Sequence, residues 1–187
     1  MNTIKIEKGN TKIVAHRGLS GIEVENTNSA FVAAGNRSYF GIECDVHRTV
    51  DGKYVIIHDD TTARVAIDSL VVEESTYDTL RNLLLKEKNG EKGRTDIRIP
   101  SLQEYISICK HYDKIAVLEL KNHFEKEKVW EICSIIEEMG YLQNVVFKNI
   151  TSKNRNIIRK AQKNNIQIHH TEDYSIFEYF ISIYNQT

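Results

Sequence analysis

The feature that most constrains this chain is a repeated change of hydrophobic period. Short β-branched runs alternate with longer stretches in which apolar residues recur at helical spacing. The strand-like runs are 12–15, 41–46, 54–57, 115–120, 145–147 and 166–168. Val129, Ile132, Cys133 and Ile136 follow the i, i+3, i+4, i+7 pattern, and Ile176, Phe177, Phe180 and Ile181 nearly repeat it. Boundary signals agree. Ser101 and Glu104, just after Pro100, stand at the N-cap and N3 positions of a capping box. Gly140 follows a helical run, where a left-handed residue suits the end. Alternating strand and helix predicts an α/β fold with a mainly parallel sheet, because each parallel crossover needs a helix-sized connection. The 187 residues carry no internal repeat and no low-complexity linker, so residues 1–187 are read as a single domain.

Composition removes several function classes. Lys and Arg number 25 against 26 Asp and Glu, a net charge of -1, which leaves no bulk electrostatic case for nucleic acid or an anionic membrane surface. No apolar run reaches the roughly 20 residues of a membrane span, so no stable membrane insertion is expected. The first ten residues carry Lys5, Glu7 and Lys8 and no apolar core, unlike a signal peptide, and the expected location is the cytoplasm. Cys44, Cys109 and Cys133 show no C-x-x-C spacing, which speaks against a disulfide framework or a zinc site. Cys109 and Cys133 lie in apolar helical stripes, where small buried thiols are common. The polar stretch 86–96 reads as an exposed loop.

One connection breaks the alternation. Thr49-Val50-Asp51-Gly52 is too short for a parallel crossover, and Asp-Gly between apolar runs signals a hairpin. A two-residue turn at Asp51-Gly52 would pair Val50 with Lys53 and set Asp45 opposite His58. Strand periodicity puts Glu43 on the same face as Asp45. Two carboxylates and an imidazole would then share one face.

Four strand-like runs deliver polar groups at or near their carboxyl ends, where open α/β sheets and barrels hold ligands. The first ends in His16-Arg17-Gly18, offering an acid–base group and a cation shaped for phosphate oxygens. The second carries Glu43-Cys44-Asp45, whose carboxylates repel and need solvent, a base or a cation; oxygen-only ligands suit Mg²⁺ or Ca²⁺. Cys44 faces the other way as packing. The third ends in His58-Asp59-Asp60, and the fourth in Glu119-Leu120-Lys121. Each alone fits a solvated strand end or an internal ion pair. Together, two histidines, three carboxylates and two cations suit metal-assisted phosphoryl chemistry. No P-loop and no Gly-x-Ser-x-Gly elbow is present. The segment His169-His170-Thr171-Glu172-Asp173 reads as a solvated loop.

At these residues the sequence resembles the glycerophosphodiester phosphodiesterase family. The resemblance rests on the order and spacing of several pieces: His16-Arg17-Gly18, Glu25-Asn26-Thr27, Gly41-Ile42-Glu43-Cys44-Asp45-Val46, Thr49-Val50-Asp51-Gly52, Val55 through His58-Asp59, Ile99-Pro100-Ser101-Leu102 and Leu118-Glu119-Leu120-Lys121. It implies a TIM-barrel-like fold and one divalent cation, Mg²⁺ or Ca²⁺. It implies hydrolysis of a small-molecule glycerophosphodiester to glycerol 3-phosphate and an alcohol, within glycerol and lipid metabolism. By family pattern, His16 and His58 are the general acid/base pair. Glu43, Asp45 and Glu119 are the metal ligands, and Arg17 and Lys121 the phosphate contacts.

Three departures stand out. Val24 replaces the usual Pro before Glu-Asn-Thr. Phe147-Lys148-Asn149 stands where the family has Ser-Phe after the fifth strand, which alters the expected substrate pocket. Length is the third. A complete barrel takes ~250 residues, so the chain is short by about two strand–helix units, a C-terminally truncated barrel. An open barrel exposes strand edges, which the apolar stretch 174–184 or a second subunit in a homo-oligomer could cover. Two alternatives remain beside the hydrolase: a truncated, non-catalytic barrel acting through association, and a phospholipase D-like relative of the same barrel.

Overall fold

The computed structural model describes residues 11–87, 95–121 and 124–148, and the backbone of 169–171. Along the described chain run β1 (Val14–Ala15), α1 (Asn28–Gly35), β2 (Gly41–Arg48), β3 (Tyr54–Ile56), α2 (Tyr77–Arg81), α3 (Leu102–His111), β4 (Ile115–Leu120), α4 (Lys126–Glu138), β5 (Val145–Lys148) and β6 (His169–Thr171). A 3-10 turn, Leu142–Asn144, leads into β5. One sheet takes the order β1-β2-β4-β5-β6, all parallel, with β3 antiparallel on β2. Parallel pairing gathers the carboxyl ends of five strands on one side, which is the condition for a shared site.

Local sequence explains the helices. Ser101 Oγ accepts from the Glu104 N–H, and the Glu104 carboxylate accepts from the Ser101 N–H, so the expected capping box starts α3. The predicted stripe Val129, Ile132, Cys133 and Ile136 is the buried side of α4. Gly140, at φ 64, follows its last turn. Gly18 serves a close approach: at φ 76, an added Cβ would lie 2.7 Å from the Ala30 carbonyl carbon of α1. The segment 176–181, with its expected helical stripe, lies outside the described residues, as do 166–168, 172–173 and the stretch 174–184.

The strand period of two divides the sheet. Ile42, Cys44 and Val46 of β2, with Ala116 and Leu118 of β4, pack into a core with Phe31 of α1, Tyr105 of α3 and Ile132 of α4. The buried Tyr105 hydroxyl donates to the Ile42 carbonyl at 2.6 Å, fixing α3 on β2. All three cysteines are free and buried, as expected of packing thiols. A second core gathers Val55 and Ile57 with Ala66, Val72, Leu80 and Ile99 from the excursion between β3 and α3. No helix among the described residues is long and apolar enough to cross a membrane.

Two expectations are corrected. The hairpin has a three-residue loop. Strands β2 and β3 pair Val46 with Ile56, His47 with Val55 and Arg48 with Tyr54. The Thr49 N–H donates to the Lys53 carbonyl at 2.8 Å, leaving Val50-Asp51-Gly52 as the loop. Gly52 sits at φ 78, the left-handed position that closes such loops. The extra residue shifts the register by one. Asp45 therefore lies across from Ile57, whose N–H donates to the Asp45 carbonyl at 3.0 Å, and His58 falls one residue beyond. The second correction is β6. His169, His170 and Thr171 pair with Val146, Phe147 and Lys148 of β5. Part of the segment expected as a loop is strand, because its backbone completes the ladder of β5.

Candidate active site

On the sheet face away from α1, α3 and α4, the strands deliver acids. Parallel register sets Asp45 of β2 beside Glu119 of β4, and Glu119 beside Lys148 of β5. Glu43 lies two residues before Asp45 and so shares its face. Glu43 and Asp45 are 3% and 1% exposed, and Glu119 is 9% exposed. One carboxylate oxygen from each lies within 4.8 Å of the others. Acids so buried and so close demand positive charge nearby.

Three side-chain cations, Arg17, Lys121 and Lys148, supply it, and neutral donors add to them. The Arg17 backbone N–H donates to Glu43 Oε2 at 3.0 Å, a direction set by the left-handed backbone of Arg17 at φ 55. The Arg17 guanidinium lies 3.3 Å from Asp45 Oδ2 through Nε and donates to Glu25 at 3.0 Å through Nη1. Lys121 Nζ donates to Glu119 at 3.2 Å and stands 3.7 Å from Asp45 Oδ1. Lys148 Nζ reaches Glu119 at 2.6 Å and Glu43 at 3.2 Å. His16 is near, with Nε2 3.9 Å from Glu43 Oε2 and a side chain 62% exposed. Asn26, a second left-handed residue at φ 52, donates to Asp45 Oδ2 at 2.9 Å. Asp45 Oδ1 is buried yet has no hydrogen-bond donor among the described residues. Non-glycine residues held at positive φ store strain that cooperative surroundings must sustain, a common trait of functional sites.

His58 reaches this cluster through a chain of side chains. Its Nδ1 bonds Asp59 at 2.6 Å. Arg64 donates to both Asp59 oxygens, at 2.7 and 3.2 Å, and forks onto Glu25 at 2.8 and 2.9 Å. Glu25 in turn accepts from Arg17, which meets Asp45. The Arg64 hydrogen bonds, with one from His58, hold the Asp59 carboxyl down at about 2. Burial alone would raise Glu25, but Arg64 and Arg17 outweigh it and hold its carboxyl below the usual range. An ionised Asp59 can only accept, so the hydrogen shared between the two sits on His58 Nδ1.

The structure thus brings Glu43, Asp45, Glu119, Arg17 and Lys121 together, with His16 alongside. It joins His58 to them by a relay of charges instead of the cross-strand pair expected. Reading the sequence assigned no role to Arg64, Glu25, Asn26 or Lys148. Glu25 and Asn26 lie within the Glu25-Asn26-Thr27 motif, and Lys148 falls where Phe147-Lys148-Asn149 departs from the family pattern. Arg64 gives no signal, since its partner Glu25 is 39 residues away.

Comparison with known proteins bears on this arrangement. The sequence pattern of the glycerophosphoryl diester phosphodiesterase family matches residues 16–183. The chain belongs to that family. A glycerophosphodiester phosphodiesterase of Caldanaerobacter subterraneus subsp. tengcongensis is 32% identical over 158 residues, 82% of this chain and 62% of the relative. An uncharacterised protein of Mycoplasma genitalium is 48% identical over 112 residues, 58% of this chain and 44% of the relative. Among solved structures, a glycerophosphodiester phosphodiesterase of Parabacteroides distasonis superposes with a TM-score of 0.64 at 26% identity, over 87% of this chain and 66% of that one. A phosphodiesterase of Oleispira antarctica, solved with the product sn-glycerol-3-phosphate, superposes with a TM-score of 0.71 at 24% identity, over 86% of this chain and 64% of that one, and speaks for the fold alone. The TIM-barrel-like α/β fold expected from the sequence is therefore the fold of this chain. The chain spans 46%, 62% and 59% of the length of three curated relatives.

Proposed function

We propose that this chain hydrolyses glycerophosphodiesters, releasing glycerol 3-phosphate and an alcohol, with one divalent cation at Glu43, Asp45 and Glu119. The observation that carries the proposal is the convergence of these three buried carboxylates with His16, Arg17 and Lys121 at the carboxyl end of the sheet, in a chain of this family. The donor set fits a hard cation: it is all oxygen, carries three negative charges, and includes Asp45 Oδ1, which is buried without a hydrogen bond. Mg²⁺ and Ca²⁺ both suit such ligands. When bound, the cation would supply positive charge to the phosphate oxygens as negative charge builds there.

The chain's own residues do the rest. Arg17 and Lys121 add cationic charge where the phosphodiester would lie. His58, whose Nδ1 hydrogen is held by Asp59, takes a proton at Nε2 from a water that attacks phosphorus, or from a glycerol hydroxyl that attacks it to give a cyclic phosphate which water then opens to glycerol 3-phosphate. His16, open to solvent beside Glu43, gives a proton to the departing alkoxide. The family match over 16–183 supports reading the whole of 1–187 as one barrel-type domain.

The test is direct. Purified protein is incubated with glycerophosphocholine and Mg²⁺ or Ca²⁺, and glycerol 3-phosphate is measured by a coupled dehydrogenase. Turnover that needs the cation and falls about 10²–10⁴-fold in His16→Ala, while cation binding persists, is the expected result. Absence of cation-dependent turnover in a folded wild-type protein would refute the proposal.

A further inference from the structure

Lys148 is the last residue of β5, and parallel register puts it beside Glu119 on the acidic face. Its Nζ lies 2.6 Å from Glu119 Oε2 and 3.2 Å from Glu43 Oε1, and the side chain is 35% exposed. It therefore spans two of the three groups proposed to hold the cation. The third, Asp45, is met by Arg17 and Lys121 and leaves Oδ1 without a hydrogen bond. Three carboxylates thus face three side-chain cations before any metal is considered. A divalent ion placed between Glu43 and Glu119 would meet an ammonium already bonded to both. Like charges at such range in a poorly hydrated site repel strongly. A lysine can yield where an arginine or a backbone N–H cannot. Its charge is a single point on a flexible four-carbon stem, and the side chain is partly exposed.

We propose that Lys148 is a tethered occupant of the cation site: its ammonium holds Glu43 and Glu119 together in the metal-free protein, and a divalent ion binds by displacing it. The inference rests on the reading of Glu43, Asp45 and Glu119 as cation ligands. It makes Lys148 a determinant of affinity, because binding becomes an exchange of one cation for another. The metal-free fold is kept from carboxylate repulsion, and the affinity for a divalent ion is lowered to match.

The experiment is calorimetric titration of Mg²⁺ and of Ca²⁺ into metal-stripped wild type, Lys148→Met, Lys148→Arg and Glu43→Gln, with thermal melts of each metal-free protein. Lys148→Met is expected to bind at least about tenfold more tightly than wild type and to melt lower without metal. Lys148→Arg keeps the charge and should bind no more tightly than wild type, which separates charge from side-chain bulk. Should Lys148→Met prove too unstable to titrate, Lys148→Gln gives the same comparison with a polar side chain. Equal affinity in wild type and in the uncharged variant overturns the role of Lys148 while the cation site stands. Failure of every folded variant to bind either ion overturns the cation site, and this inference with it.

Discussion

Arg64 is the residue on which the two halves of the site depend. Its fork on Glu25, 39 residues away in sequence, and its bonds to Asp59 tie His58 to Arg17 and Asp45. With Arg64→Met, Asp59 loses the partner that fixes it, and His58 loses its fixed orientation. Turnover on glycerophosphocholine should fall about 10–100-fold, the usual cost of removing a group that orients a reacting one, with kcat falling more than KM rises. A pH series gives a second readout. Asp59 is depressed to about 2 in the folded protein, so it contributes stability that is complete above the unfolded carboxyl value and is lost as pH falls towards 2. Glu25 is lowered for related reasons and acts in the same sense. Urea melts of wild type and Arg64→Met should therefore differ most at pH 6 and converge near pH 2. A constant gap across that range would contradict the relay.

At the scale of elements, Glu104 does more than cap. Besides closing the box with Ser101, it accepts two bonds from Arg81 at the end of α2, at 2.6 and 2.9 Å, and one from Asn28 at the start of α1. Ser101→Ala, which removes the cap alone, should cost about 1 kcal/mol. Glu104→Ala strips partners from three helices and should cost roughly 2–3 kcal/mol, in the range of charged hydrogen bonds. Urea denaturation at pH 7 compares them, and equal losses would reduce Glu104 to a cap. The box itself was legible in Ser101-Leu102-Gln103-Glu104 because both partners lie within one helical turn. The α4 stripe and the strand ends were legible for the same reason: period and punctuation are local. The hairpin register was not. Asp51-Gly52 fits a two-residue turn and the end of a three-residue one equally well, and the choice lies with the Thr49–Lys53 pair. That single residue moved His58 away from Asp45. Arg64 and Lys148 were missed for a different reason, since ion pairs between distant segments leave no periodic trace. Tyr77–Arg81 is short and lacked any repeat to announce it.

Across the whole molecule, β3 makes one unit of two cores. Tyr54 and Ile56 point into the core under the sheet, while Val55 and Ile57 point into the core of the excursion between β3 and α3. Strand alternation thus gives neighbouring residues of one short strand to different cores. β2, which pairs with β3, carries Glu43 and Asp45. Whatever stabilises the acidic face is therefore felt by both cores. A cation at about 100 times its Kd adds ~2.7 kcal/mol to stability, which for a chain of this size is a rise of roughly 5–10 °C in Tm. Trp130, packed against the first core, reports by fluorescence, and far-UV circular dichroism reports on every helix and strand. With Mg²⁺ or Ca²⁺ the two probes should rise together by the same amount in wild type, and neither should move in Glu43→Gln. If the dichroism transition split, one part rising with the fluorescence and a smaller part staying put, the excursion would be unfolding on its own, and the alternation along β3 would not couple the cores.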